Sequence, residues 1–459
     1  MSQTLFAQHA LLPQGWASNV RLAWNDAGDL TRVEPNSTPL AGEHQQTWVL
    51  PGMINLHSHA FQRAMAGMTE FAGENRDSFW TWRDLMYRFA RQITPEHIEA
   101  IAAQLYSECL RYGYTSVCEF HYVQRVPNGA WYGAQAEMAQ RVIAGAAHSG
   151  IGITMLPVLY SYANFGEQPL RDEQCRFKTD VDDVMAIVAA LEPLRSSQVE
   201  VGAAPHSLRA ASIAQIRDLQ QRLPAARPLH IHIAEQQKEV QDCVAHSGLR
   251  PVQLLAKEIQ LDQRWCLVHA THLLADEVSS IASSGAIAGL CPTTEANLGD
   301  GLFAFSDFIA QGGVFGIGSD SHVSQSPVEE LRWLEYGQRL QQQARNIATT
   351  PQERSVGDFL WQASLQGGAQ ASGRQVGSLA VGKRADLLVL DDSHPNLAAV
   401  WQQDVLNTLI FCGNDNLIRD VMVGGQWRVE NGRHQQQAEI AARYRATMQE
   451  LQQLRAEKG

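Results

Sequence analysis

Lysine is scarce in this chain. Only five occur in 459 residues, at Lys178, Lys238, Lys257, Lys383 and Lys458. Cysteine is also sparse: the seven residues 109, 118, 175, 243, 266, 291 and 412 are scattered, with no Cys-x-x-Cys pair. An odd, dispersed set argues against a disulfide framework. No apolar run approaches the ~18 residues that a membrane-spanning helix needs. The start, Met1-Ser2-Gln3-Thr4-Leu5, lacks a basic stretch followed by an apolar one, so no signal peptide is expected. The formal net charge of −12 argues against general affinity for nucleic acid or anionic membranes. It leaves room for an anionic small molecule held by a local arginine cluster. These absences together predict a reduced, soluble, cytoplasmic enzyme.

The chain has ample core material, with 45% apolar and 18% charged residues. Its length, about three times the ~150-residue domain prior, suits one large barrel plus an accessory unit, or two to three domains. The middle alternates short apolar runs with helical patterns. Eight runs read as strands: 51–59, 114–122, 153–160, 199–206, 228–235, 265–270, 286–292 and 313–320. Helical patterns fall at 97–111, 133–149, 182–195, 210–222 and 250–258. Continuous apolar strands separated by helices indicate parallel strands buried on both faces. Eight such units predict an α/β fold, a (β/α)8 TIM barrel over 51–374, with its site at the carboxyl ends of the strands. The two chain ends read differently. Val20–Trp24, Ala385–Leu390 and Val421–Trp427 look like strands, which predicts a small β-sandwich domain built from 1–50 plus 375–435. A helix closes the chain over 436–459. The 60–96 segment, with Trp80, Trp82, Arg83, Tyr87 and Arg88, is long for a strand-to-helix connection and reads equally as a lid or binding loop or as a solvated helical excursion.

The most informative motif is Pro51-Gly52-Met53-Ile54-Asn55-Leu56-His57-Ser58-His59. Side chains on a strand repeat every second residue, so His57 and His59 face the same way. His232 ends the fifth strand, His269 the sixth and Asp320 the eighth. The triad His57, His59 and His232 with Asp320 makes a plausible shell for one divalent transition metal, completed by water. Zinc fits best; iron or manganese would also be accepted. A water so held can reach a pKa near ~7 and become a nucleophile. Asp320 can ligate and take that proton. Glu235, three residues past His232, is placed to carry a proton to a leaving nitrogen. His269 can orient the nucleophile or stabilise the charge that develops. His230 shares the parity of His232 but lies one pleat deeper, in the barrel interior. His272 and His322, beyond the strand ends, are the reserve ligands.

These motifs resemble the amidohydrolase superfamily. The match spans essentially the whole chain and includes Pro51-Gly52 with His57-x-His59, His232-x-x-Glu235, His269, Ser319-Asp320, and the closing Gly377-Ser378-Leu379 with Gly382-Lys383-Arg384-Ala385-Asp386-Leu387. The His-x-x-Glu form is similar to the mononuclear deaminase branch, which hydrolyses C–N bonds and releases ammonia. Two-metal members bridge their ions through a modified lysine at the fourth strand end. That strand reads Val201-Gly202-Ala203-Ala204-Pro205-His206-Ser207 and has none, so a single metal per chain is expected. A narrower resemblance rests on Pro292-Thr293-Thr294-Glu295-Ala296-Asn297-Leu298-Gly299-Asp300-Gly301 and on His232-Ile233-Ala234-Glu235-Gln236. It is to the N-formimino-L-glutamate iminohydrolases of histidine degradation. It implies hydrolysis of the formimino group to N-formyl-L-glutamate and ammonia, with zinc, by a homodimer. It also implies that Gln62, Arg83, Tyr122, His206 and Arg209 surround the substrate, and two carboxylates call for fixed arginine forks. The competing readings are a nucleobase or nucleoside deaminase of the same branch, favoured by Trp80 and Trp82, and a non-catalytic barrel scaffold.

Overall fold

Met53-Ile54-Asn55-Leu56-His57-Ser58 is buried at every position, as are Tyr114–His121 and Gly152–Leu159. A strand without an exposed alternate residue needs a partner layer on both faces, and helices between parallel strands provide it. The computed structural model of the protein describes residues 3–71 and 77–456; residues 1–2, 72–76 and 457–459 lie outside it.

In chain order the strands are β1 (Gln3–Leu12), β2 (Gly15–Trp24), β3 (Leu30–Glu34), β4 (His44–Pro51), β5 (Met53–Ser58), β6 (Tyr114–His121), β7 (Gly152–Leu159), β8 (Val199–Val201), β9 (Ala204–Pro205), β10 (Leu229–Ile233), β11 (Trp265–His269), β12 (Ile287–Leu290) and β13 (Val314–Ile317), followed by β14 (Leu387–Leu390), β15 (Ile418–Val423), β16 (Gln426–Glu430) and β17 (Arg433–His434). β5 through β8 pair in parallel in sequence order, with β9 also on β7. β10 through β13 do the same. Parallel bridges Ala203–Leu229 and Ser58–Asp320 join the two sets at either side. Each of the eight expected barrel runs therefore carries a strand, the fourth split into β8 and β9.

Each of the five helical patterns carries a helix, and further helices lie outside them. α1 (Phe79–Ala90) and α2 (Pro95–Arg111) follow β5. α2 begins at Thr94, whose hydroxyl accepts the His97 amide at 3.2 Å, with Pro95 in the first turn. Helix Val356–Ser372 lies against β5 and β13 so closely that a Cβ on Gly367 would stand 1.9 Å from the Phe315 carbonyl oxygen. Its last turn reaches the barrel interior, where the Ala371 carbonyl lies 2.9 Å from His230 Nε2.

The remaining strands form one eight-stranded path, β17-β16-β15-β14-β4-β1-β2-β3. β1, β2 and β3 share a buried apolar cluster with β14 and β15: Leu5, Leu22 and Leu30 pack with Leu387 and Met422. The sheet thus curls so that strands from both chain ends cover a common core. The 421–427 stretch is two strands, not one. Gly424 and Gly425 both take positive φ, 55° and 75°, and form the two-residue hairpin turn between β15 and β16. β4 runs on into β5 with only Gly52 between them, and Gly52 N–H donates to Asp386 O at 3.1 Å. A Cβ on Gly52 would meet Thr115 Oγ1 at 2.2 Å.

The last helix, Gln437–Ala456, docks on α2 through Leu451 and Ile101, and Arg443 pairs with Glu99 at 2.9 Å. All seven cysteines are free thiols. Among the described residues no helix is long and apolar enough to cross a membrane.

Candidate metal centre and active site

The strand ends deliver four ligand-type side chains to one point. His57 and His59 come from β5, His232 from β10, and Asp320 from the turn after β13. Their ligand atoms all lie within 4.8 Å of one another, and all four residues are buried. His57 Nε2 is 3.1 Å from His59 Nε2 and 3.0 Å from His232 Nε2. Asp320 Oδ1 stands 3.5 Å from His57 Nε2 and 3.2 Å from His59 Nε2.

The outer ring nitrogens fix which form two of the imidazoles take. His59 Nδ1 faces the Phe120 carbonyl at 2.9 Å, and His232 Nδ1 faces the His206 carbonyl at 3.1 Å. A carbonyl oxygen can only accept, so each Nδ1 holds the proton and each Nε2 presents a lone pair inward. Burial pulls His57 down to about 3 and His232 well below the ordinary histidine range, so both stay neutral. Burial pushes Asp320 the other way, but its bonds to His57 and His59 outweigh that and hold it well below the usual carboxylate range. Three imidazole nitrogens and one carboxylate converging on one point fit a divalent transition cation.

Backbone strain aims these groups. Ala234, His269, Ala270 and Asp320 have φ of 51°, 69°, 47° and 48°. Non-glycine residues seldom occupy this left-handed region, and such outliers gather at functional sites. Each lies where a strand stops and its chain must turn across the barrel mouth.

The proposed proton-handling groups lie on one side of the four. His269 Nε2 is 3.7 Å from both Glu235 Oε1 and Asp320 Oδ2, and its Nδ1 is 3.2 Å from Glu295 Oε1. Burial opposes a charge on His269, yet Glu235, the bond from Glu295 and Asp320 outweigh it and raise its pKa. Burial raises the Glu235 carboxyl, with His269 and Arg209 only partly countering it.

A pocket opens from this point. It is lined by His59, His232, Glu235, His269 and Asp320 at one end, and by Gln62, Arg83, Tyr122, His206 and Arg209 with Tyr87, Tyr160 and Leu298 elsewhere. α1 supplies Phe79, Trp82, Arg83, Met86 and Tyr87 to the wall, so the described part of the 60–96 segment belongs to the pocket rather than to a solvated excursion. Residues 72–76 of that segment lie outside the described residues. Arg83 and Arg209 form no ion pair among the described residues, and Nε of each is buried without a hydrogen-bond partner. Trp80 lies under both guanidinium groups, 4.5 Å from Arg83 and 5.6 Å from Arg209, ring centroid to Cζ. Gln62 Nε2 donates to the Tyr122 hydroxyl at 2.9 Å, while Gln62 Oε1 has no partner. His206 Nδ1 lies 3.1 Å from Ser207 Oγ.

Other residues sort themselves by position. His322 Nε2 meets Ser58 Oγ at 3.1 Å and His272 Nδ1 meets Gln237 Nε2 at 2.8 Å, so neither reserve ligand joins the four. Sequence reasoning missed three carboxylates. Glu295 braces His269. Glu239 accepts the amides of Ala234 and Glu235. Glu119 accepts the Ala60 amide at 2.7 Å and the Ser58 and Tyr106 hydroxyls. Glu295 stood inside a quoted motif, and its place just past a strand end was its signal. Glu119 and Glu239 sit in a strand and a helix start and carry no such mark.

A parallel barrel with a His-x-His strand end and further ligands on the fifth and eighth strands defines a class, and comparison gives it a name: the chain belongs to the amidohydrolase family, whose model matches residues 48–428. Residues 2–47 match the model described as "Formimidoylglutamate deiminase HutF, N-terminal domain". The formimidoylglutamate deiminase of Pseudomonas aeruginosa is 53% identical over 431 residues, covering 94% of this chain and 95% of that protein. The 8-oxoguanine deaminase of the same organism is 29% identical, covering 88% of this chain and 87% of that protein. The crystal structure of an amidohydrolase from Brucella melitensis superposes with a TM-score of 0.93 at 42% identity, over 98% of this chain and 99% of the other. An adenosine deaminase from Xanthomonas campestris with bound zinc shares the fold, with a TM-score of 0.81 at 20% identity over 98% of each chain.

Proposed function

We propose that this chain hydrolyses N-formimino-L-glutamate to N-formyl-L-glutamate and ammonia, a step of histidine degradation. The observation that carries this is the 53% identity, end to end, with a formimidoylglutamate deiminase, joined by the match of residues 2–47 to that enzyme's N-terminal unit. The related purine deaminase stands much further off, at 29%. A scaffold without chemistry has no reason to keep three imidazoles and a carboxylate in register.

His57, His59, His232 and Asp320 would hold one divalent cation, zinc by preference, and the bound cation supplies Lewis-acid activation of water. Arg83 and Arg209, with unspent donors, take the two substrate carboxylates. Gln62, Tyr122 and His206 orient the chain between them. That places the formimino carbon beside Asp320 and Glu235. Asp320, through Oδ2, accepts the proton that water loses as its oxygen bonds to that carbon. His269, held cationic by Glu295, stabilises the developing negative charge. Glu235 then delivers a proton to the amino nitrogen, the C–N bond breaks and ammonia leaves, and the hydroxyl left on the carbon gives its proton back to Glu235 as it becomes the formyl carbonyl. A carboxyl raised by burial is suited to carry that proton near neutral pH.

The test is ammonia release from N-formimino-L-glutamate, guanine and cytosine, each with zinc-loaded protein. Release from the first alone is expected. Release from guanine or cytosine, with none from the first, overturns the proposal.

A further inference from the structure

Helix Gln237–Ser247 begins directly after the segment that carries Glu235. Its third residue, Glu239, is 1% exposed. A glutamate there usually bends back to the amide of the capping residue, here Gln236. Glu239 does not. Oε1 accepts the Ala234 amide at 3.3 Å and Oε2 accepts the Glu235 amide at 3.1 Å. The carboxylate therefore reaches past the helix end and grips the two residues before it. Ala234 is the one with φ of 51°. Its carbonyl is held too, by the His272 amide at 3.0 Å. An alanine in this conformation returns to the common region unless its surroundings fix it. With Ala234 relaxed, the Cα–Cβ bond of Glu235 would swing away from His269 Nε2, now 3.7 Å from Glu235 Oε1.

We infer that Glu239 is a positioning residue for the proton carrier. It clamps the left-handed turn at Ala234 and so sets the direction in which Glu235 points. Glu239 touches neither the four ligand-type residues nor the open pocket. Its hydrogen bonds run to the turn that carries Glu235, while its charge also faces Arg209.

The inference rests on Glu235 being the proton carrier, and a double-mutant cycle separates the two claims. Glu239→Ala, Glu239→Gln, Glu235→Gln and both double variants are purified with zinc. For each, kcat, KM, metal content and thermal midpoint are measured. Glu239→Ala is expected to lower kcat by 10- to 100-fold, with KM within about twofold and one metal per chain retained. Glu239→Gln, which keeps one acceptor oxygen, should lose less, and it serves if the alanine variant does not fold. In the Glu235→Gln background either change should cost almost nothing more, because the group being aimed is already disabled. If Glu239 only stabilises the helix start, its variants lower the thermal midpoint and cost the same factor of kcat in both backgrounds, which overturns the inference. If Glu235→Gln alone leaves kcat unchanged, the proton-carrier role falls first, and the inference with it.

Discussion

Glu295 shows what one carboxylate can do to a neighbour. A single oxygen accepts the Cys291 amide at 2.9 Å and faces His269 Nδ1 at 3.2 Å. His269 is protonated below its raised pKa and loses that proton as pH climbs through it. If the cation is the active form, the alkaline limb of kcat/KM reports the loss. Glu295→Gln removes one of the charges that raise it, so the limb should move to lower pH in a pH–rate profile. An unmoved limb would disconnect Glu295 from that proton. The pocket arginines make a second case. Arg209→Ala should cut kcat/KM for the dicarboxylate substrate by roughly 10²-fold or more, the usual scale for deleting one partner of a buried charged contact. Metal content should be unchanged. Full activity would remove Arg209 from substrate binding. The strand-end histidines were legible from the chain alone because residue type and alternation fix their direction. The carbonyls of Phe120 and His206 were not, since a backbone oxygen has no letter in the sequence.

Among the elements, buried parallel strands announced themselves most clearly. Gly152–Leu159 is apolar throughout save one threonine, and that threonine, Thr154, donates to the Ser372 carbonyl at 2.7 Å. Less legible was the β15–β16 hairpin: Val421–Trp427 reads as one strand although Gly424-Gly425 is the two-residue turn within it. The wall-forming role of the 60–96 segment was legible from its length and its aromatic and arginine residues, whereas the helical form of α1 within it was not singled out. Gly367 supplies the element-level prediction. Its hydrogen atom stands where any side chain would strike the Phe315 carbonyl. Backbone must move to admit a methyl group, so Gly367→Ala should cost about 3 kcal/mol of stability, the upper end for overpacking. Denaturant titration measures this. A change below about 0.5 kcal/mol would mean that helix Val356–Ser372 slides freely on β13.

For the molecule as a whole, a cation held by β5, β10 and the turn after β13 would tie together segments far apart in sequence. Its affinity then adds to global stability, by about 2.7 kcal/mol when free metal exceeds its dissociation constant a hundredfold. Removal with a strong chelator should therefore abolish turnover and lower the thermal midpoint together. Added zinc should restore both. Loss of activity with an unchanged midpoint would place the ion outside this centre. The barrel was legible at this scale because eight apolar runs alternate with helical stretches. That both chain ends build one β unit was legible from their strand-like runs; which strands meet was not, because no local pattern links Leu30 to Leu387.

The strand pair β4 and β5 is one nearly continuous rod of strand, interrupted only at Gly52. Its outer portion is stitched into the curled sheet and its inner portion ends in two ligand-bearing imidazoles. Trimming the first forty-odd residues would strip β1 from beside β4 and leave the rod anchored on one flank. The front of this protein is thus no detachable ornament: it is the wall to which the strand bearing His57 and His59 is fixed, and slack there would travel straight down to those two imidazoles.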